Sequence, residues 1–460
     1  GFCFFHAVCQ DRRKFGPIGW NIPYNFTPED LTTNRRQLKY FLDAYDDIPY
    51  TVLQFLGSKI NYGGRVTDDK DVRLISAVLK GYFTPEMLEK DFKFAGLPAY
   101  TIPEGCMAQG SLESTRESLK SLPMDEDPRI FGLHPNALIT AQVNQAKRFI
   151  DTVVSVQPRI ASSGGGKKPE EIVNEMAENF LATIPDASTS KALIHPETYM
   201  KIEGGGIISI GVFHSQEYTR FGSMIGVVKA SLKMLMKAIS GIVLMSADLE
   251  AMYNAFLIQK VPGNWEKVAY PCLKPLNSWV SDFCLRIEFM TDWLLNGPPL
   301  SYWISCFFFP QGFMTASLQV HARKTKIPID ALAFWTEPTT CAEAEAAEAP
   351  ADGQNVHGLF VQGAGWSLEA RQLCESEKGV LFVELPVIWM KVVMQDEFAA
   401  LKEQAGRYLC PLYKTSERRG TLSTTGHSTN FVTYFYIPSL EQDQGHWVRR
   451  GVALLCMLDE

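Results

Sequence analysis

Between Phe221 and Phe256, eleven apolar residues follow one another at steps of three or four: Phe221, Ile225, Val228, Leu232, Leu235, Ile239, Ile242, Met245, Leu249, Met252 and Phe256. Only a helical period keeps such a set on one face, so this stretch is a long helix, or two helices broken near Ser240–Gly241. Met224, Met234, Met236 and Leu244 lie off that stripe, which predicts a second, covered face. Ile139, Val143, Ala146, Ile150 and Val153 form another stripe behind an Asn136 cap. Pro169 opens a helix carrying Ile172, Val173, Met176 and Phe180, and Trp279, Phe283, Arg286, Met290 and Trp293 mark one more. Residues 136–300 therefore read as a helical layer. After Pro328 the period changes to two: Leu332 and Phe334 alternate with alanines, and strand-like runs follow at Val356–Val361, Val380–Val387, Tyr408–Tyr413, Phe431–Ile437 and Val452–Leu458. In FVTYFYI, Phe431, Thr433 and Phe435 are expected on one face and Val432, Tyr434 and Tyr436 on the other. Both faces are apolar, which predicts a curled sheet with a filled interior, a small barrel.

Ser301–Lys324, SYWISCFFFPQGFMTASLQVHARK, sits at the junction of the two periods. Its aromatic run is interrupted by Pro310, Gln311 and Gly312, where the chain is expected to reverse into strand-like spacing. Phe308 and Phe313 are then expected to plug the helical layer onto the β layer. The run is far shorter than the roughly 20 apolar residues that a membrane-spanning helix needs.

The first 130 residues read as helices. GFCFFHAVCQDRRKF is a mainly buried helix with a basic last turn, stopped by Gly16, Pro17 and Gly19. Thr27 caps a helix with Pro28 at its first position and Leu31, Leu38, Phe41 and Leu42 along it. Pro49 opens another with Val52, Phe55 and Leu56 inward, and Thr67 caps a third with Val72, Ile75, Val78 and Leu79 inward. Residues 98–127 are loop-rich around a short helix at 112–122. A protein of 460 residues is long enough for two or three domains. The net charge of −7 argues against a nucleic-acid platform. Ten cysteines without regular spacing suit free thiols in a reducing compartment. Gly1 opens in what reads as mid-helix, without an initiator Met, so the sequence is expected to be a piece of a longer protein.

Several motifs invite a chemical reading. SSGGGKK (162–168) suggests a phosphate loop, but Ala161 and Lys168 stand where that motif needs Gly and Ser or Thr, so a linker is the better reading. Cys3, His6 and Cys9 have metal-like spacing without a fourth ligand, which favours structural roles. His427 lies among hydroxyls in GHST, where a strand turn competes with a nucleophile–base pair. Arg65 in YGGRVTDD is placed to reach a phosphate, or to pair with Asp68 or Asp69. RRGTLSTTG (418–426) is an anion loop or a polar hairpin turn. None of these amounts to a catalytic, cofactor or metal site.

Taken together, FCFFHAVCQDRRKFGPIGWNIPYNF (2–26), NYGGRVTDD (61–69), IFGLHPNA (130–137), VQPR (156–159), YPCLKPLNSWV (270–280), YWISCFFFPQGFMTA (302–316), CPLYKTSERRGTLSTTGHSTNF (410–431) and RRGVALLCMLDE (449–460) resemble the C-terminal end of dynein heavy chains. The block at 410–431 is more similar to axonemal than to cytoplasmic dyneins. The resemblance implies an α+β protein: residues 1–133 as the all-helical lid of the sixth AAA+ module, and 134–460 as the dynein C-terminal domain, with a helical layer to 330 and a small β-barrel from 331. It implies a non-catalytic part that braces and regulates the ring of a minus-end-directed microtubule motor of cilia and flagella. ATP and Mg belong to other modules, and no cofactor to this segment. The implied partners are the rest of the heavy-chain ring, the microtubule through a distant stalk, and intermediate and light chains, with no nucleic acid and no membrane. A cytoplasmic or intraflagellar-transport dynein, or an unrelated helical AAA+ ATPase fragment, is the alternative. Lys70 and Val72 depart from the Trp and Arg of many relatives, and Gly365 from their Arg.

Overall fold

The first strand pairing of any length comes only after residue 300, and the regular elements described before it are helices. The structure, a computed structural model, describes residues 1–89, 91–103, 111–156, 167–186, 194–203, 205–421, 428–439 and 442–459. α1 (Phe2–Asp11) runs into a 3-10 segment, Arg12–Ile18, bent where Gly16 takes φ 62° ahead of Pro17. α2 (Pro28–Ala44) starts with a reciprocal box between Thr27 and Asp30. Its buried residues are the polar Asp30 and Asn34, while Leu42 stays exposed. In α3 (Tyr50–Phe55) Leu53 points inward and Val52 and Phe55 outward, contrary to the expected stripe. A π-helical turn, Leu56–Asn61, follows and changes the phase of the face that is presented. α4 (Asp69–Tyr82) is capped by Asp68, not Thr67, because the Asp68 carboxylate accepts the backbone N–H groups of Lys70 and Asp71. Ile75, Val78 and Leu79 are its buried face, as the spacing predicts. α5 (Leu112–Lys120) is short and exposed.

α6 (Asn136–Val156) crosses from the first helices to the rest of the protein. Its apolar stripe exists but is not covered by the described residues, since Val143, Ile150 and Val153 are all exposed. α7 (Pro169–Thr183), α8 (Ser209–Ile239), α9 (Ala247–Leu257), α10 (Gly263–Glu266) and α11 (Leu276–Asn296) form the helical layer. Phe221, Ile225, Val228, Leu232 and Leu235 of α8 are buried, and the stripe resumes with Met252 and Phe256 of α9. The break falls where Gly241 adopts φ 74°. Off the stripe, Met224 is covered by the protein itself, while Met234 and Leu244 stay exposed.

β1 (Tyr302–Trp303) leads through Phe307, which is buried, into α12 (Pro310–Thr325). The expected reversal at Pro310 into strand spacing is therefore corrected: Pro310 is the first residue of a helix, where its missing N–H costs nothing. A carboxylate helps to fix that start, since Glu217 of α8 accepts the Phe308 N–H at 2.6 Å. Phe313 is fully buried, as expected. Phe308 is only partly buried, packed on Phe221 and Tyr270.

The strands are β2 (Leu332–Pro338), β3 (Gln354–His357), β4 (Phe360–Gln362), β5 (Gly365–Ser367), β6 (Gln372–Cys374), β7 (Phe382–Glu384), β8 (Ile388–Met394), β9 (Arg407–Tyr413), β10 (Phe431–Pro438) and β11 (Ala453–Leu455). α13 (Gln395–Lys402) follows β8, and α14 (Gln444–Arg450) precedes β11. They make a four-stranded sheet, β1-β3-β8-β2, a five-stranded sheet, β10-β9-β11-β4-β7, and a β5-β6 hairpin. The α+β class stands, but the small closed barrel is not found among the described residues. β2 and β10 approach each other without a backbone ladder. Thr336 Oγ1 accepts from Tyr436 N at 2.8 Å and donates to Tyr436 O at 3.1 Å instead. A register shift between Phe431 and Thr433 also resets the alternation of β10. Val432, Phe435 and Ile437 join the main core, while Phe431 and Tyr434 pack together elsewhere.

A buried histidine, His214, and a half-buried one, His357, give the fold a pH signature. His214 of α8 bonds Met290 O at 2.9 Å and Tyr199 Oη at 3.1 Å, under Trp293. His357 of β3 bonds Ser301 Oγ at 2.9 Å. Burial lowers both to about 4. The unfolded protein takes up these protons below about 6.5 and the folded protein does not, so stability falls as pH drops from about 6.5 to 4. For fully buried His214 the loss is at most on the order of 3 kcal/mol. Denaturant midpoints at pH 7 and pH 5 are expected to differ more in the parent than in His214→Gln, and an equal difference would refute this role.

Candidate functional site

The residues singled out for chemistry are scattered. Cys3 is exposed and Cys9 buried, while His6 Nδ1 bonds Tyr62 Oη at 2.8 Å. No group of three His, Cys, Asp or Glu able to hold a metal occurs among the described residues. Ser162–Gly166 of the suggested phosphate loop lie outside the described residues. Lys167 pairs with Glu175 at 2.7 Å, and Lys168 stands at the start of α7. Gly426 and His427 are outside them as well. Arg65 pairs with neither Asp68 nor Asp69. Its Nε donates to Asp30 Oδ1 at 2.8 Å and its Nη2 to Thr27 Oγ1 at 3.3 Å, so it joins the cap of α2. Asp68 is committed to capping α4, and Asp69 to Lys70 at 2.6 Å. Arg418, from the suggested anion loop, is buried and donates to Gln362 Oε1 at 2.5 Å and Gly451 O at 2.8 Å. Burial pushes the thiols of Cys410 and Cys456 up to about 12, so both stay protonated and non-nucleophilic.

What the fold does assemble is a polar seam between the first helices and the last strands. Arg12, fully buried, donates to Gly19 O at 2.7 Å, to Phe131 O, and to Arg449 O at 2.6 Å. Asn21 Nδ2 donates to Tyr413 Oη at 2.7 Å. The Asp71 carboxylate accepts the N–H groups of Asn21 and Ile22 at 3.1 and 3.2 Å. Burial, with Asp68 nearby, pushes Asp71 up to about 7. Arg73 donates to Leu409 O at 2.8 Å and Tyr408 Oη at 3.3 Å. Lys70 Nζ lies 3.7 Å from the centre of the Phe431 ring, and Tyr434 Oη donates to Asp69 at 2.7 Å. From the other side, Arg450 donates to Leu133 O at 2.6 Å. At the foot of α6, Asn136 donates to Glu377 O and Val380 O and accepts from Gly379 N. The expected Asn136 cap is therefore corrected: its amide clasps a distant loop instead of capping its own helix.

These contacts hold parts together and contain no nucleophile–base pair. An open cleft of about 780 Å³ runs beside the seam, between Arg13, Trp20, α6 residues such as Lys147, and Glu417, Arg419 and Asp459. Its charges are of both signs. Sequence reading misses the seam, although its parts are in view: Arg12 belongs to the basic turn before Gly16-Pro17, and Asp71 to the acidic first turn of α4.

Two family profiles match the protein in series. One described as the dynein heavy chain AAA lid domain matches residues 1–137, and one described as the C-terminal domain of the dynein heavy chain matches residues 143–456. Human dynein axonemal heavy chain 3 is 42% identical over 461 residues, covering 100% of this sequence and 11% of the relative. Human dynein axonemal heavy chain 1 is 42% identical over 460 residues, with 99% of this sequence and 10% of the relative covered. Rat dynein axonemal heavy chain 12 is 40% identical over 462 residues, with coverage of 100% and 14%. The 460 residues thus span about a tenth of the length of these relatives.

Proposed function

The chain belongs to the dynein heavy chain family, and from that premise we propose that it is the C-terminal segment of an axonemal heavy chain, a non-catalytic brace for an ATP-driven motor ring. The observation that carries this reading is the seam. Residues matched by the lid profile are bonded to residues matched by the C-terminal profile through part-buried, charge-assisted hydrogen bonds from Arg12 and Arg73. A joint of this kind transmits displacement between two bodies and performs no bond chemistry. ATP and Mg, in this reading, sit in other modules of the parent, and the microtubule, the remaining ring, and intermediate and light chains are its partners in the axoneme. The open sheets meeting at Thr336 and Tyr436 would then be the walls of one barrel-like unit.

In a complete motor, Arg73→Ala is expected to slow microtubule gliding several-fold while ATP binding elsewhere is unchanged. Unchanged gliding would remove the brace from the account. Titration calorimetry of the 460-residue protein with Mg-ATP is expected to give no micromolar site. A site there would favour the rival reading, a helical ATPase fragment.

A further inference from the structure

We propose that the small cavity in the seam binds a monovalent inorganic anion of chloride size. The cavity, about 30 Å³, is lined by Lys70, Asp71 and Arg73 of α4, by Tyr408 and Tyr413 of β9, and by Arg418. That volume matches a halide or a water or two. Three cationic side chains and one carboxylate face it. Neither Arg73 nor Arg418 is bonded to a carboxylate among the described residues. Their hydrogen bonds go to Leu409 O, Tyr408 Oη, Gln362 Oε1 and Gly451 O. Each of the two guanidinium groups also keeps a buried Nε–H without an acceptor among the described residues, and Arg418 as a whole is only 4% exposed.

One carboxylate cannot balance two arginines: Asp71 offsets at most one of the positive charges that line the pocket. Both Asp71 oxygens accept backbone N–H groups, from Asn21 and Ile22. Asp69 is engaged by Lys70 and Tyr434. A buried guanidinium such as that of Arg418, sharing one carboxylate with half-buried Arg73, is costly, and two unsatisfied N–H groups add to that cost. A halide meets both demands at once, because it accepts several hydrogen bonds and carries the missing charge. Water meets only the first. The site lies between α4 and the strands it packs on, so an occupying anion ties the two sides of the seam together.

The test is thermal unfolding of the 460-residue protein at fixed ionic strength, with gluconate replaced stepwise by chloride or bromide. The midpoint is expected to rise by several degrees with a saturable dependence on halide. At pH 8.5, where the Asp71 carboxyl is ionised, Asp71→Asn removes a competing negative charge, and half-saturation is expected at halide concentrations on the order of tenfold lower. Arg418→Gln is expected to lose the halide dependence. Should that variant fail to fold, the Asp71→Asn shift decides alone. A crystal grown in bromide is expected to show an anomalous peak in the cavity. A midpoint indifferent to halide, an Asp71→Asn half-saturation equal to the parent's, or no bromide peak would overturn the proposal and leave water as the occupant.

Discussion

Arg286→Ala is expected to lower the unfolding free energy by about 3–5 kcal/mol, the usual cost of stranding one member of a buried ion pair. Arg286, on α11, is 1% exposed. Its Nε donates to Asp282 Oδ2 at 2.5 Å, its Nη1 to Ser305 O, and its guanidinium lies 3.9 Å from the centre of the Tyr270 ring. Burial works against its charge, yet Tyr270 and Asp282 together hold its pKa above the usual value. Removing it leaves Asp282 buried with Tyr270 Oη at 2.8 Å and Lys274 at 3.7 Å. It also frees Ser305 O in the loop that leads into α12. The double variant Arg286→Ala/Asp282→Ala is expected to recover part of the loss, since no charge is then stranded. Chemical denaturation checks both. A single variant that unfolds at the parent's denaturant midpoint would mean that solvent reaches this pair.

Arg12→Ala is the second large effect. The side chain satisfies the carbonyls of Gly19, Phe131 and Arg449 from inside the protein. Each buried carbonyl left without a donor costs about 1–3 kcal/mol, so a loss of roughly 3–5 kcal/mol is expected after partial relaxation. Burial lowers Arg12 to about 10, so it remains cationic at neutral pH and Arg12→Lys does not rescue the three-way geometry. Hydrogen exchange distinguishes this variant from an ordinary core defect. Protection is expected to drop at α1, α4 and α14, which the seam joins, and to persist in α8 and α11. Uniform loss across all helices would show that Arg12 supports the whole core and not a joint.

Features set by neighbours in sequence were legible. The Thr27–Asp30 cap follows from residues three apart, and the break after Ile239 from the glycine that ends it. Spacing placed Arg286 in an apolar stripe, and it is indeed buried there. Features set by distant partners were not. Pro310 starts a helix because its surroundings, including Glu217 on α8, favour it, and nothing near Pro310 shows that. Ile388–Met394 forms the strand that pairs β2 with β3, yet the strand-like run read from the sequence stops at Val387, just before it. Arg65 has two acids within four residues and bonds to one thirty-five residues away, because the near pair are already engaged. The seam itself consists almost wholly of such long-range bonds.

That seam sets a timetable for synthesis. Arg12 and Arg449 are 437 residues apart, and a ribosome adding about 5–20 residues per second takes roughly 20–90 s to cover the distance. Through that interval the first helices are out of the exit tunnel without the carbonyl that completes Arg12's bonds, and without the Tyr413 hydroxyl that receives Asn21. Ala453–Leu455, some 440 residues after Arg12, then enters as the middle strand of its sheet, between β9 and β4. A holdase chaperone has its longest task here at the start of the segment, although the missing piece lies at its far end. A premature stop before Ala453 leaves β9 and β4 without their shared neighbour, and one before Arg449 also leaves the first helices unfastened.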